Sequence, residues 1–197
     1  MSASNYKRII IGGLLSVLPL VYFFPFDPSP MIEIDRKLPR YEMLDEEGKK
    51  AYIQDFLNGK QTLIYFGYLN CKTFCLGSIA KLKEILEIKR NFQLIFISLD
   101  PENDKPSRLK TLFEKSESRA ILLRGSSQTY SLVVALDLGM KLSKNIDSEE
   151  IEHQDSLIWV SPDNSIKGIF PEFQNSYNKN PKKFIEFLNK MDEGDEQ

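Results

Sequence analysis

Two uncharged, largely apolar stretches, TLIYFGY at 62–68 and FQLIFISL at 92–99, lie one helix-length apart and constrain this chain more than any other feature. Their aromatic and β-branched content, without polar alternation, suits strands buried on both faces, not an amphipathic surface. Between them, Ile79, Leu82, Ile85, Leu86 and Ile88 recur at helical spacing, which predicts a helix over 78–90. Strand, helix and strand in that order make a βαβ unit. Downstream, the spacing predicts a helix over 106–115 with Pro106 at its start, a short strand at 120–123 and a helix over 127–136. SLIWVS and 165–170 flank Pro162-Asp163-Asn164 as a hairpin, and a last helix begins at Pro181. A βαβ half followed by a ββα half is an α/β, thioredoxin-like arrangement.

Upstream, Lys7 and Arg8 precede 9–26, eighteen residues without a charge. As a helix that run spans roughly 27 Å, close to the ~30 Å hydrocarbon core of a bilayer. Pro19 is tolerable in such a helix, and Tyr22, Phe23, Phe24 and Phe26 place rings at its far end. The basic residues before it predict a cytoplasmic tip and a domain on the other side of the membrane. A cleaved signal peptide is the alternative, but no small-x-small site follows the run. The expected division is anchor at 1–26, proline-rich linker at 27–37, one domain at 38–191 and an acidic tail at 192–197. Net charge is −2, which gives no reason to expect a nucleic-acid partner.

The chain has two cysteines, Cys71 and Cys75, and one histidine, His153. The cysteines follow the first apolar strand directly, at the carboxyl end where open α/β sheets place their sites. A helix starting there favours thiolate through its dipole. Two thiolates and a neutral imidazole suit Cu(I) by softness and can also hold Cu(II). Zinc accepts the same atoms but usually takes four ligands, and calcium and magnesium want oxygen. A structural disulfide, or a redox dithiol that needs no histidine, are the competing readings.

Phe66-Gly67-Tyr68-Leu69-Asn70-Cys71-Lys72-Thr73-Phe74-Cys75 resembles the F-G-Y-T-x-C-P-x-x-C-P signature of the Sco/SenC proteins, membrane-anchored thioredoxin-like copper proteins of cytochrome c oxidase assembly. The run from Phe96 through Asp100-Pro101 to Pro106 is similar to their F-I-S-V-D-P-x-x-D-x-P, and Leu123-Arg124-Gly125-Ser126 to their L-T-G-T. His153 stands nine residues before Pro162, as in their H-S-x-x-x-Y-L-x-D-P. The resemblance implies copper ligands at Cys71, Cys75 and His153, and a copper-delivering metallochaperone more than an enzyme. It implies a partner that is a cytochrome c oxidase subunit or another copper protein, and an inner-membrane location with the domain in the periplasm. The mitochondrial inner membrane is less favoured, because no Arg- and Ser-rich presequence is present. Asp100 matches the acidic residue of the D-P motif, and its expected role is to cap the turn before Pro101. Both signature prolines are absent: Lys72 takes the first place and Leu76-Gly77 the second. Their loss predicts a more mobile loop, and Lys72 adds a cation beside the thiols. Two other functions stay in view: thiol–disulfide oxidoreductase and a degenerate interaction domain.

Overall fold

The computed structural model describes residues 29–71, 75–113, 119–144 and 151–194, with side chains to 190 at the last helix. The run 9–26 and Lys72 lie outside the described residues, and among those described no helix is long and apolar enough to cross a membrane. In chain order the elements are β1 (Ile32–Lys37), β2 (Glu42–Leu44), β3 (Lys50–Tyr52), a 3-10 turn (Ile53–Phe56), β4 (Gln61–Gly67) and α1 (Cys75–Ile88). Then come β5 (Phe92–Ser98), α2 (Pro106–Leu112), β6 (Ala120–Arg124), α3 (Gln128–Asp137), β7 (Leu142–Lys144) and β8 (Ile151–His153). β9 (Leu157–Val160), β10 (Ser165–Phe170), α4 (Phe173–Lys179) and α5 (Pro181–Gly194) complete the domain.

Among the described residues, eight strands form one sheet in the order β1-β10-β9-β4-β5-β6-β2-β3, and β7 and β8 pair with each other alone. β4, β5 and β6 are parallel because helices carry the chain across between them. β9 and β10 return as an antiparallel hairpin on the other side of β4. All seven residues of β4 and all seven of β5 are buried, so layers cover both faces. Alternation divides them. Leu63, Tyr65, Leu94 and Phe96 pack with α1, α4 and α5, through Leu82, Leu86, Phe173, Tyr177 and Phe184. Ile64, Phe66, Ile95 and Ile97 pack with Val134 and Ala135 of α3 and with Leu138 just past its end, and this second cluster includes Cys71 and Cys75.

Several features depart from the sequence reading. Part of the stretch expected as linker is β1, an edge strand whose residues are mostly exposed and which, among the described residues, pairs with β10 alone. Exposed edge strands carry charge, so IEIDRK has little apolar signal. α4 was not expected, because only Phe173 and Tyr177 of its seven residues are buried. α1 starts at Cys75 rather than 78, since Gly77 weakens the local helical pattern. Gly77 also lets α4 come close: a Cβ there would stand 2.0 Å from Gln174 Nε2, so that side chain would have to move aside. At the other end, α5 runs on to Gly194, into the expected acidic tail.

Candidate metal centre

Cys71 lies in the loop leaving β4, Cys75 opens α1 and His153 closes β8. All three are buried, and neither cysteine is in a disulfide. His153 Nε2 is 3.4 Å from Cys75 Sγ and 3.9 Å from Cys71 Sγ. The three donor atoms lie within 4.8 Å of one another, the one such group of His, Cys, Asp and Glu donors among the described residues. An ion with bonds of ~2.3 Å to sulfur and ~2.0 Å to nitrogen, in a trigonal plane, needs N···S separations of ~3.7 Å and an S···S separation of ~4.0 Å. The donors are spaced to that scale.

The imidazole is held in the tautomer a metal needs. His153 Nδ1 sits 3.1 Å from the Gln154 carbonyl oxygen, which can only accept, so Nδ1 carries the proton. Nε2 then turns its lone pair toward the sulfurs. Tyr68 ties the two halves of the site together: its hydroxyl donates to the Ile151 carbonyl of β8 at 3.0 Å, and its ring lies 6.0 Å from that of His153.

Two buried carboxylates brace the cysteine segment. Asp104, 1% exposed, accepts from Leu69 N at 3.0 Å and from Ser98 Oγ at 2.7 Å. It fixes the loop to the end of β5, and burial raises its pKa. Asp155 lies under Cys75: Oδ1 accepts from Ser78 Oγ at 2.7 Å and Tyr65 Oη at 3.0 Å, and Oδ2 from Gln174 N at 2.7 Å. One side chain thus joins β4, α1 and α4. Burial, then the Asp155 and Cys75 charges, push the Tyr65 phenol well above its ordinary range, keeping it a donor.

The thiolate expected from the helix start is opposed locally. The Cys75 thiol is pushed strongly up, first by its hydrogen bond with Cys71 and then by burial. A helix terminus offers only ~0.3–1 kcal/mol, less than one pKa unit, and cannot outweigh these. A bound cation would reverse the balance, because it favours the deprotonated ligand directly. Asp100 is not among the three donors. Its carboxylate accepts from Asn103 Nδ2 at 2.9 and 3.0 Å, and its carbonyl from the Asn103 and Asp104 amides, which is the turn-capping role.

The sequence singled out Cys71, Cys75 and His153, and the structure brings them together. It did not single out Tyr65, Ser78 or Asp155, and it met Asp104 only as the second acidic position of the F-I-S-V-D-P-x-x-D-x-P match. Their signal is a three-dimensional one, since Asp155 draws its donors from positions 65, 78 and 174.

Against known proteins, the SCO1/SenC family model matches residues 30–189. The SCO2-like protein of Rickettsia conorii is 34% identical over 92 residues, which cover 45% of this chain and 44% of its own. The chain therefore spans less than half the length of that relative. BsSco, a member of the Sco family of cytochrome c oxidase assembly proteins with an identified disulfide switch, superposes with a TM-score of 0.58 at 25% identity, over 71% of this chain and 86% of its own. Copper-bound ScoI of Arabidopsis thaliana shares the fold with a TM-score of 0.60 at 22% identity, over 77% of this chain and 98% of its own.

Proposed function

The chain belongs to the SCO1/SenC family, and we propose that it is a membrane-anchored metallochaperone that holds a copper ion on Cys71, Cys75 and His153 and hands it to a protein acceptor. The observation that carries the reading is the convergence of three soft donors within 4.8 Å from two separate parts of the fold. Two thiolates with one neutral imidazole select copper over calcium or magnesium, and three ligands leave a coordination position through which an acceptor can enter. Transfer then proceeds by ligand exchange and needs no covalent chemistry. Loading displaces the two thiol protons, so affinity rises with pH. The acceptor fitting the family is a cytochrome c oxidase subunit or another copper protein. The apolar run 9–26 would fix the domain to the inner membrane on its periplasmic side.

The test is copper titration of the reduced full-length chain in detergent, in competition with a Cu(I) chelator, with ligands identified by X-ray absorption. One equivalent should bind with two sulfur ligands and one nitrogen ligand. His153→Ala should lower affinity by at least ~100-fold, more than the loss of an outer-shell partner. Equal affinity in the wild type and this variant would defeat the assignment.

The nearness of the two thiols supports a second reading, a thiol–disulfide exchanger, and BsSco is described with a disulfide switch. Here the dithiol would give two electrons and two protons to a partner disulfide and close its own S–S bond. That reaction does not use the imidazole. A His153→Ala variant that reduces protein disulfides at the wild-type rate, in a chain that binds no copper, would favour it.

A further inference from the structure

Asp155 places a buried charge beside the three donors without being one of them. It stands two residues past His153, and its carboxylate accepts at 2.7 Å from the hydroxyl of Ser78, three residues past Cys75 in α1. Tyr65 Oη at 3.0 Å and Gln174 N at 2.7 Å complete its partners. Every one of these bonds is donated to the carboxylate, which is the pattern of the ionised acid. The donors are neutral, so they fix the anion and leave its unit of charge in place. Among the described residues no lysine or arginine pairs with it.

A fixed anion here acts on the oxidation state of whatever copper ion the trio holds. Two thiolates and a neutral imidazole give the loaded site one net negative charge as Cu(I) and none as Cu(II). The anion therefore repels the reduced form and not the oxidised one. The step of nearly one helical turn from Cys75 to Ser78 sets the carboxylate roughly 7 Å from the end of the Cys75 side chain. One unit of charge over ~7 Å, at an effective dielectric of ~20, shifts an equilibrium ~50-fold, and water reaching the site reduces this toward ~10-fold. The field is felt at Cys75 itself: after its hydrogen bond with Cys71 and burial, the charges of Cys71 and Asp155 push the thiol up further.

We propose that Asp155 sets the oxidation-state preference of the Cys71–Cys75–His153 site, biasing three soft donors toward Cu(II). It does so through space, as a charge held in place by β4, α1 and α4 rather than as a ligand. Softness alone favours Cu(I) on two thiolates, so the buried carboxylate works against the preference of the donors and narrows it. The inference deepens the copper-holding part of the proposed function and rests on it.

The test is an anaerobic redox titration, at pH 7, of the full-length chain in detergent loaded with one equivalent of copper, with the Cu(II) form followed by electron paramagnetic resonance. Asp155→Asn removes the charge and keeps the shape: its amide oxygen can accept from Gln174 N, and the Ser78 and Tyr65 hydroxyls can turn to accept from its amide. This variant should lower the ratio of Cu(II) to Cu(I) affinity by ~10- to 50-fold, which raises the potential by ~60–100 mV at 59 mV per tenfold. Asp155→Ser, smaller and also neutral, should shift it in the same direction and reads the charge if the asparagine variant does not fold. Ser78→Ala takes away a brace and keeps the charge, so its potential should stay within ~30 mV of the wild type, a ~3-fold effect. An unchanged potential in both neutral variants, or an equal rise in Ser78→Ala, overturns the inference and leaves the copper site standing. A wild-type chain that binds neither Cu(I) nor Cu(II) overturns the copper reading and this inference together.

Discussion

Replacing Asp104 separates what braces the metal loop from what binds metal. The side chain touches no donor atom of the trio, yet it holds Leu69 N at 3.0 Å, two residues before Cys71. Asp104→Ala leaves two buried donors, the Leu69 amide and the Ser98 hydroxyl. A stranded donor costs ~1–3 kcal/mol. The serine hydroxyl can rotate toward another acceptor, and its oxygen continues to accept from Asp100 N at 3.1 Å. The alanine also removes a carboxylate whose burial is unfavourable, as its raised pKa records. The balance is a loss of about 1.5–3 kcal/mol, most of it at the Leu69 amide. Asp104→Asn keeps an acceptor for that amide and a group for Ser98, so its loss should stay under ~1 kcal/mol.

pH separates the two variants further. Because the folded pKa of Asp104 is raised, the folded state keeps a proton that the unfolded state has given up. Between the two values, stability from this group falls as pH rises, and below both its contribution is level. Asp104→Asn removes that slope. Urea unfolding followed by Trp159 fluorescence from pH 3 to 8, with Cu(I) titration of each variant, reads both effects. The alanine variant should bind copper more weakly than the asparagine variant, although all three ligands remain in both. Identical copper affinity and identical unfolding midpoints for wild type and Asp104→Ala would refute the bracing role.

The Cys75 thiol, pushed up by Cys71 and by burial, should alkylate with iodoacetamide at pH 8 at least ~10-fold more slowly than free cysteine in the absence of copper; a faster rate would contradict its protonated state. Gly168→Ala would place a Cβ 2.1 Å from Met31 Sδ. It should destabilise by ~1–3 kcal/mol and speed amide exchange in β1, whereas an unchanged melting temperature would mean that Met31 swings clear.

The central sheet was legible because β4 and β5 are buried at every position and α1 has a clear apolar stripe. Their order alone sets the parallel pairing. β1 was not legible, since Pro25, Pro28, Pro30 and Pro39 surround it and an edge strand needs only a weak alternation such as Ile32 and Ile34 against Glu33 and Asp35. The three-residue strands β7 and β8 were below the length at which periodicity is readable. His153 was therefore expected just ahead of a strand and is found closing a small hairpin. The candidate ligands were legible because each is rare in this chain, with two cysteines and one histidine. Asp155 was not, because acidic residues are common here and nothing in one sequence marks which of them are buried; Asp104 stood in the D-P-x-x-D match, but its bond to Leu69 N is a three-dimensional fact.

That small hairpin decides how the site can open. The sulfurs belong to the segment joining β4 to α1, which is tied down by Asp104 and Asp155. The imidazole belongs to β7–β8, whose ladder has three residue pairs and does not join the main sheet. An isolated two-stranded ribbon is marginally stable, so the hairpin depends on what it docks against. The Tyr68 hydroxyl bond to Ile151 is one such contact, two residues from His153. Tyr68→Phe should remove ~0.5–1.5 kcal/mol, a ~2- to 13-fold effect, without touching a ligand. If the hairpin is the moving part, that loss appears as faster copper release to a chelator in stopped flow, with the loading rate nearly unchanged and the sheet's unfolding midpoint shifted little. Release at the wild-type rate from Tyr68→Phe would place the opening motion in the cysteine segment instead.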